Sequence, residues 1–322
     1  MKPVHGAPTL IAIEASKRAL IAASRSGEGR VHSVFRRCFN VIQPPSDWLT
    51  VALAPFPRVP DGIIVAATGP LDFAGVGLVP GATVRISAEL ISILDARLMI
   101  RLPPIRVFDT RRKPFALPQG GFARNLATAW KVLEARGCSE GLGWARALLR
   151  GPDDMALHSA RECPVELCRR AVPAIVALRA AIRSNEAFAM RREVEKLLGF
   201  GIGLTPSGDD VLGGIAAGLF LGGVTEAQNE YCSVLSEVLR EDGRTTEISM
   251  QALRHIVAGE IADIIDDVAR AIAEREEPAV VGSVTTLLSY GSSSGTEITL
   301  GLCTGLQLAE EVGCPRRISG GL

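Results

Sequence analysis

Residues 197–219, "LLGFGIGLTPSGDDVLGGIAAGL", place seven glycines in the twenty positions 199–218, beside two adjacent aspartates, and then turn apolar. A second stretch, residues 287–306, "LLSYGSSSGTEITLGLCTGL", can be set against it. Each opens Leu-Leu-x-aromatic-Gly, with Phe200–Gly201 in one and Tyr290–Gly291 in the other. After loops that differ by three residues, Ser207, Gly208, Asp210, Gly214 and Gly218 correspond to Ser294, Gly295, Glu297, Gly301 and Gly305. The pattern reads as two copies of a helix–loop–helix unit.

Ser-x-x-Asp and Ser-x-x-Glu are capping-box spacings. The alternative is Thr205 as N-cap with Pro206 as the first helical residue. Either one starts a helix near 206–208 and another near 295. Asp210, Gly214 and Gly218 recur every four residues, as do Glu297, Gly301 and Gly305, so each set shares one helix face. A glycine inside a helix costs about 1 kcal/mol relative to alanine. A stripe of them in both copies predicts close backbone approach of one copy against the other.

Helix N-termini present unpaired amides and the positive end of the dipole. Glycines ahead of them let the backbone curl around an anion without Cβ interference. Two such ends brought together make a pocket for small anions. Gly203, Gly208 and Gly295 would supply backbone to it, and Thr205, Ser207, Ser292, Ser293, Ser294 and Thr296 hydroxyl donors. Asp209, Asp210 and Glu297 are candidates to orient an amide or ammonium group, to act as acid or base, or to hold a divalent cation such as Mg2+. The competing reading is a pair of ordinary capped helices with tight packing and no ligand. No Lys-Ser or Lys-Thr follows the glycines, so this is not a Walker A loop. No strand leads into it, as a dinucleotide fingerprint requires.

Working outward, "DGRTTEIS" at 242–249 is a turn followed by a helix start. Arg244 has the fork geometry for a carboxylate or phosphate, and Thr245 and Thr246 either cap the helix or face a ligand. Further helices are expected near 122–136, 140–150, 164–184, 186–198, 208–222, 225–240, 246–257, 259–275, 280–289 and 295–311, and "PDD" at 152–154 reads as another helix start. Before residue 117 the signal differs. Residues 9–25 read as a short amphipathic helix. From 30 to about 110, "VHSVFRRCFNVI", "GIIVAAT" and "ILDARLMIRL" read as short strands between Pro/Gly turns. In the last of these, Leu94, Ala96, Leu98, Ile100 and Leu102 share one face and Asp95, Arg97 and Arg101 the other. The expected class is α+β: a β-rich barrel- or sandwich-like domain with a leading helix over 1–117, then a mainly helical domain over 118–322 that carries both glycine-rich loops.

Composition narrows the partners. Of 322 residues, 47% are hydrophobic and 22% charged, with 35 basic and 35 acidic side chains. A net charge of zero gives no bulk reason for a nucleic-acid partner. The apolar run 211–224 is too short and too glycine-rich to cross a bilayer. The N-terminus lacks a secretory pattern, since Glu14, Lys17 and Arg18 interrupt it, so cytoplasm is the expected compartment. Seven cysteines with no CxxC spacing read as reduced thiols. The four histidines are scattered singly, which predicts no zinc site.

At "GIGLTPSGDDVLGG", Gly201 to Gly214, the chain resembles the oxamate carbamoyltransferase subunit AllH family. "HSVFRRCFN", "RTTEIS" and "GSSSG" are similar to it as well. Val211 stands where the family has a bulkier residue. The resemblance implies a transferase of purine catabolism in the allantoin route or, as for relatives outside that route, a related carbamoyl or acyl transfer. In the allantoin route it exchanges carbamoyl-oxamate and phosphate with oxamate and carbamoyl phosphate. It also implies work with two other subunits, one of the acyl-CoA synthetase-like FdrA group and one from a second uncharacterised family. No organic cofactor is implied. For such a reaction we assign phosphate and carboxylate binding to the 205–210 and 292–297 loops, charge neutralisation to Arg244, and the amide proton or orientation of the nucleophile to Asp209 or Asp210. Ser207 is placed with these two acids at the reacting centre. Two rivals stand beside this: a non-catalytic scaffold subunit, and an ATP-dependent phosphotransferase with an unorthodox anion loop.

Overall fold

A computed structural model describes residues 9–67, 69, 71–118, 120–223, 225–241 and 243–313. His5 and Cys314 lie outside them. Two compact units divide at Thr110/Arg111, ahead of the expected 117/118.

The first unit holds β1 (Thr9–Ser16), α1 (Lys17–Ser24), β2 (Gly27–Val34), β3 (Cys38–Gln43), β4 (Asp47–Leu53), β5 (Gly62–Ala66), β6 (Thr83–Ile86), β7 (Leu90–Ile93), β8 (Leu98–Arg101) and β9 (Arg106–Phe108). Neighbouring strands run β5-β4-β3-β2-β6-β7-β8-β1, and an antiparallel pairing of β1 with β5 closes the eight into a barrel. β8 lies parallel to the first half of β1, from Thr9↔Met99 to Ile11↔Arg101. β9 takes over the second half, from Glu14↔Arg106 to Ser16↔Phe108. Phe39, Leu49, Ile63, Ile91, Ile93, Leu98 and Ile100 are fully buried in its core. A barrel of eight strands is filled by its own side chains.

Two expectations fail here. Residues 9–25 are not one helix, since Thr9–Ser16 is a strand. Leu10 and Ala12 are buried while Thr9, Ile11 and Ile13 are exposed, a period of two. Pairing with three other strands outweighs helical composition. The helix begins only at Lys17, where the Ser16 hydroxyl accepts from Ala19 N at 2.9 Å. Nor is "ILDARLMIRL" one strand. It is a hairpin with Ile93 opposite Leu98. Arg97 sits at φ +48 and Leu94 is 61% exposed. The alternation is real on either side of the turn and accidental across it. His32 stacks beside Trp48, ring centroids 5.0 Å apart.

The second unit is helical: α2 (Phe122–Arg136), α3 (Ala145–Leu149), α4 (Asp153–Glu162), α5 (Glu166–Ser184), α6 (Ala187–Leu197), α7 (Ser207–Leu221), α8 (Glu226–Val238), α9 (Glu247–Val257), α10 (Asp263–Glu274), α11 (Glu277–Leu288) and α12 (Ser294–Gly313). The helix expected at 140–150 is confined to 145–149. Residues 138–143 form a loop instead, in which Leu142 N donates to Glu297 and Cys138 N to Thr296. Such tertiary bonds satisfy the backbone without a helix. The helix expected from 259 starts at 263, behind Gly259 at φ +74.

α7 and α12 pack through the glycine stripes. A Cβ on Gly214 would stand 2.8 Å from the Gly301 Cα, and one on Gly305 2.4 Å from the Ile215 carbonyl oxygen. The predicted close approach of the two copies is present. No helix of the described residues is long and apolar enough to cross a membrane. Among those residues the six cysteines are free thiols.

Candidate functional site

The two glycine loops are built alike, bond for bond. Phe200 N donates to Leu197 O at 2.9 Å, and Tyr290 N to Leu287 O at 2.9 Å. Gly208 N then donates to Phe200 O at 2.8 Å, and Gly295 N to Tyr290 O at 2.9 Å. Each of these glycines also lets the chain pass close by: a Cβ on Gly208 or Gly295 would stand 2.0 Å from the carbonyl of Leu197 or Leu287. The helix starts match as well. Pro206 O accepts from Asp209 N and Asp210 N, and Ser293 O from Thr296 N and Glu297 N.

The loops meet in space. Thr205 Oγ1 lies 2.9 Å from Ser294 Oγ. Their tips reach solvent, with Ile202 83% exposed and Gly203, Gly291 and Ser292 exposed. Beneath the tips, Ser207, Gly208, Asp209, Gly295, Thr296 and Glu297 are buried. The amides of Gly208 and Gly295 are engaged inside their own loops. The amides of Ser207 and Ser294, in the first turns of their helices, have no backbone acceptor among the described residues.

The acids divide by environment. Asp209, 2% exposed, accepts from Gly199 N at 2.6 Å through Oδ1 and from the Thr245 hydroxyl through Oδ2. Burial pushes its carboxyl up, and bonds from Thr245, Gly199 and Ser249 oppose the rise. Glu297 is fully buried. Its Oε1 accepts from Leu142 N at 2.8 Å and its Oε2 from Ser293 Oγ at 3.2 Å. Asp210 is different. It is half-buried, and its Oδ2 is sealed with no hydrogen-bond partner. Burial, with the charges of Glu297 and Asp209 beside it, pushes its carboxyl well up, while the Ser294 and Thr205 hydroxyls hold it down. A buried carboxyl with like-charged neighbours favours its protonated form. Glu297 reaches back to the Ser293 hydroxyl at the start of its own helix rather than to a backbone amide as in a capping box. Pro206 and not Thr205 occupies the N-cap of α7, with no side-chain cap.

Two further loops close on this pair. Residues 243–246 clamp the first glycine loop. Thr246 Oγ1 donates to Leu204 O and accepts from Ser249 N at 3.2 Å, capping α9. The Arg244 carbonyl fills the space where a Cβ on Gly199 would be, 2.1 Å away. The Arg244 side chain turns away to Glu241 and to Glu195 at 3.8 Å, so the expected anion-binding guanidinium is already matched by carboxylates.

The other loop, 138–143, was missed by sequence reasoning. Cys138 N donates to Thr296 Oγ1 at 2.9 Å, and Ser292 Oγ to Glu140 Oε2 at 3.3 Å. Gly141 adopts φ +56. A Cβ there would stand 2.2 Å from Glu297 Oε1 and 2.6 Å from Ser207 Oγ. A glycine is therefore required where this loop passes between copy one and copy two. Arg146 pins the loop through Cys138 O at 2.9 Å and Gly143 O. The only sequence signal is the glycine density of "GCSEGLG" at 137–143.

Asp209→Ala is expected to destabilise the helical unit by about 3 kcal/mol, since bonds to a charged acceptor contribute about 1.5–3 kcal/mol each. Chemical denaturation monitored by circular dichroism measures it. A loss under 1 kcal/mol would show that Asp209 does not tie the 199 and 245 segments together.

No cluster of three or more His, Cys, Asp or Glu side chains is arranged to hold a metal among the described residues. Residues 197–306, which span both copies of the unit, match the family model described as oxamate carbamoyltransferase subunit AllH. Residues 10–106, the barrel, match the model described as the AllH family N-terminal domain. No curated protein and no solved structure matches the chain.

Proposed function

The chain belongs to the oxamate carbamoyltransferase subunit AllH family, and we propose that its paired glycine loops form the site where a carbamoyl group passes between phosphate and oxamate. The observation that carries this is the sealed Asp210 Oδ2, unpartnered beside the Thr205–Ser294 contact of 2.9 Å. A buried polar atom left without a partner calls for one from outside the chain.

The chemistry matches the groups present. Towards carbamoyl phosphate, a phosphate oxygen attacks the carbamoyl carbon of carbamoyl-oxamate and forms a C–O bond. Negative charge develops on the carbamoyl oxygen. The amides of Ser207 and Ser294, each at a helix start, are preorganised donors for such charge. The C–N bond to oxamate then breaks, and the nitrogen needs a proton. Asp210, kept protonated by burial, supplies it and is reprotonated by the proton that the attacking hydrogen phosphate sheds; the reverse reaction runs the same two transfers backwards. Asp209 and Glu297, whose oxygens are engaged by backbone and hydroxyl donors, position the loops. Ser207 lines the reacting centre. Alignment of two bound reactants can itself contribute roughly 7–11 kcal/mol. The scheme draws on amides, hydroxyls and one carboxyl of this chain, with no cofactor, and a divalent cation such as Mg2+ would enter only with the substrate phosphate. On this reading the chain works in the cytoplasm with an FdrA-like subunit and a second subunit, in allantoin-type nitrogen catabolism.

The scaffold reading has one observation in its favour: Gly208 N, Gly295 N, Asp209 and Glu297 are all engaged within the chain. Reconstitution with the two partner subunits separates the readings. Carbamoyl phosphate formation from carbamoyl-oxamate and phosphate is expected to need this chain, and to fall at least tenfold in the Thr205→Val/Ser294→Ala double variant. Undiminished turnover by that folded variant would favour the scaffold.

A further inference from the structure

We propose that Arg170 is the guanidinium that receives the oxyanion end of the substrate at the mouth of the paired loops, an inference that rests on the site proposed above. Three acids, Asp209, Asp210 and Glu297, stand in the first turns of α7 and α12. An anionic substrate entering beside them needs a cation. Arg244 is matched by Glu241 and Glu195. Arg146 has its donors on the carbonyls of Cys138, Gly143 and Glu134. Arg170 differs from both: it is exposed, and no acceptor faces it among the described residues.

What holds Arg170 is a ring. Its guanidinium carbon lies 5.2 Å from the centroid of Phe200. Phe200 is the aromatic of the first glycine loop, whose carbonyl accepts from Gly208 and whose Cβ packs where a Gly208 Cβ would be, at 3.1 Å. α5, which carries Arg170, also packs against α12, the helix of the second copy. One helix thus places Arg170 over loop one and packs on the helix of loop two. A guanidinium stacked on an aromatic face keeps its edge donors free for a planar oxyanion. The aromatic position of the repeat gains a purpose here: Phe200 is the platform that orders the cation before substrate arrives.

The full chain is titrated by calorimetry with sodium oxamate and, separately, with inorganic phosphate, so that the two arms tell a carboxylate from a phosphate. Binding of at least one is expected in the wild type. Arg170→Gln is expected to weaken that anion at least tenfold, Arg170→Lys less, and Phe200→Leu a few-fold, while Arg244→Gln stays within twofold. Melting temperatures of the Arg170 variants should match the wild type, because the side chain is exposed. Wild-type affinity in Arg170→Gln overturns this inference and leaves the paired-loop site standing. A wild type that binds neither anion overturns both.

Discussion

Asp210→Asn is expected to lower turnover of the assembled enzyme at least a hundredfold while the fold survives. Asparagine keeps the shape of the side chain but cannot exchange a proton, and positioned proton transfer contributes about 10²–10⁴-fold. Asparagine cannot ionise, so the substitution removes a carboxyl whose ionised form the fold disfavours. Burial raises the Asp210 carboxyl above its unfolded value, with Glu297 and Asp209 adding to the rise. The stability tied to its proton is therefore fully present below the unfolded carboxylate pKa, about 3.9, and is lost as pH rises through the folded value. The melting temperature of Asp210→Asn relative to wild type should accordingly climb from pH 4 to pH 8. Two assays on one variant then have opposite signs at neutral pH: rate down, stability up. A variant that retains more than a tenth of the activity would remove Asp210 from proton transfer. A difference that falls with pH would mean the carboxyl is ionised in the fold.

Gly301→Ala is expected to destabilise the helical unit by at least about 3 kcal/mol, although alanine is the better helix former by about 1 kcal/mol. The packing decides the sign. A Cβ at 301 would stand 2.2 Å from the Val211 carbonyl oxygen and 2.9 Å from the Gly214 Cα. Both are backbone atoms, so no side chain can rotate aside. Overpacking against movable neighbours costs about 1–3 kcal/mol, and here α7 and α12 must separate along their length. A unit of this size loses roughly 2–4 °C per kcal/mol, so differential scanning calorimetry should show a drop of about 6 °C or more. Gly282→Ala is the control, since nothing lies within 4 Å of a Cβ there. An unchanged or higher melting temperature in Gly301→Ala would mean the helices are not in backbone contact.

The repeat was legible because its constraints are local and were written twice. Ser207 and Ser294 mark both helix starts, and glycine every fourth residue marks the shared face. From these came the meeting of the loops and the packing of α7 on α12. What the sequence hid is what comes from far along the chain. β1 looked helical because nothing in "TLIAIEAS" announces that residues 63–66, 99–101 and 106–108 will pair with it. The 138–143 loop took on helical expectation because its partners, Thr296 and Glu297, lie about 155 residues away. Asp209 and Asp210 are adjacent and chemically identical in the sequence. Only the fold separates them, giving one a full set of donors and leaving the other a bare oxygen.

The closure of the barrel through its first strand sets a schedule for the ribosome. β1 precedes the other described strands of the barrel, yet β5 lies some fifty residues later and β8 and β9 about ninety. β1 can meet β5 first, but its other edge stays unsatisfied until β8 and β9 have left the exit tunnel. Contacts so distant along the polymer slow assembly, and they leave an open edge that invites wrong pairings meanwhile. Halting translation near residue 95 leaves β1 with β5 as its only possible partner, whereas release beyond residue 108 supplies β8 and β9 for its other edge.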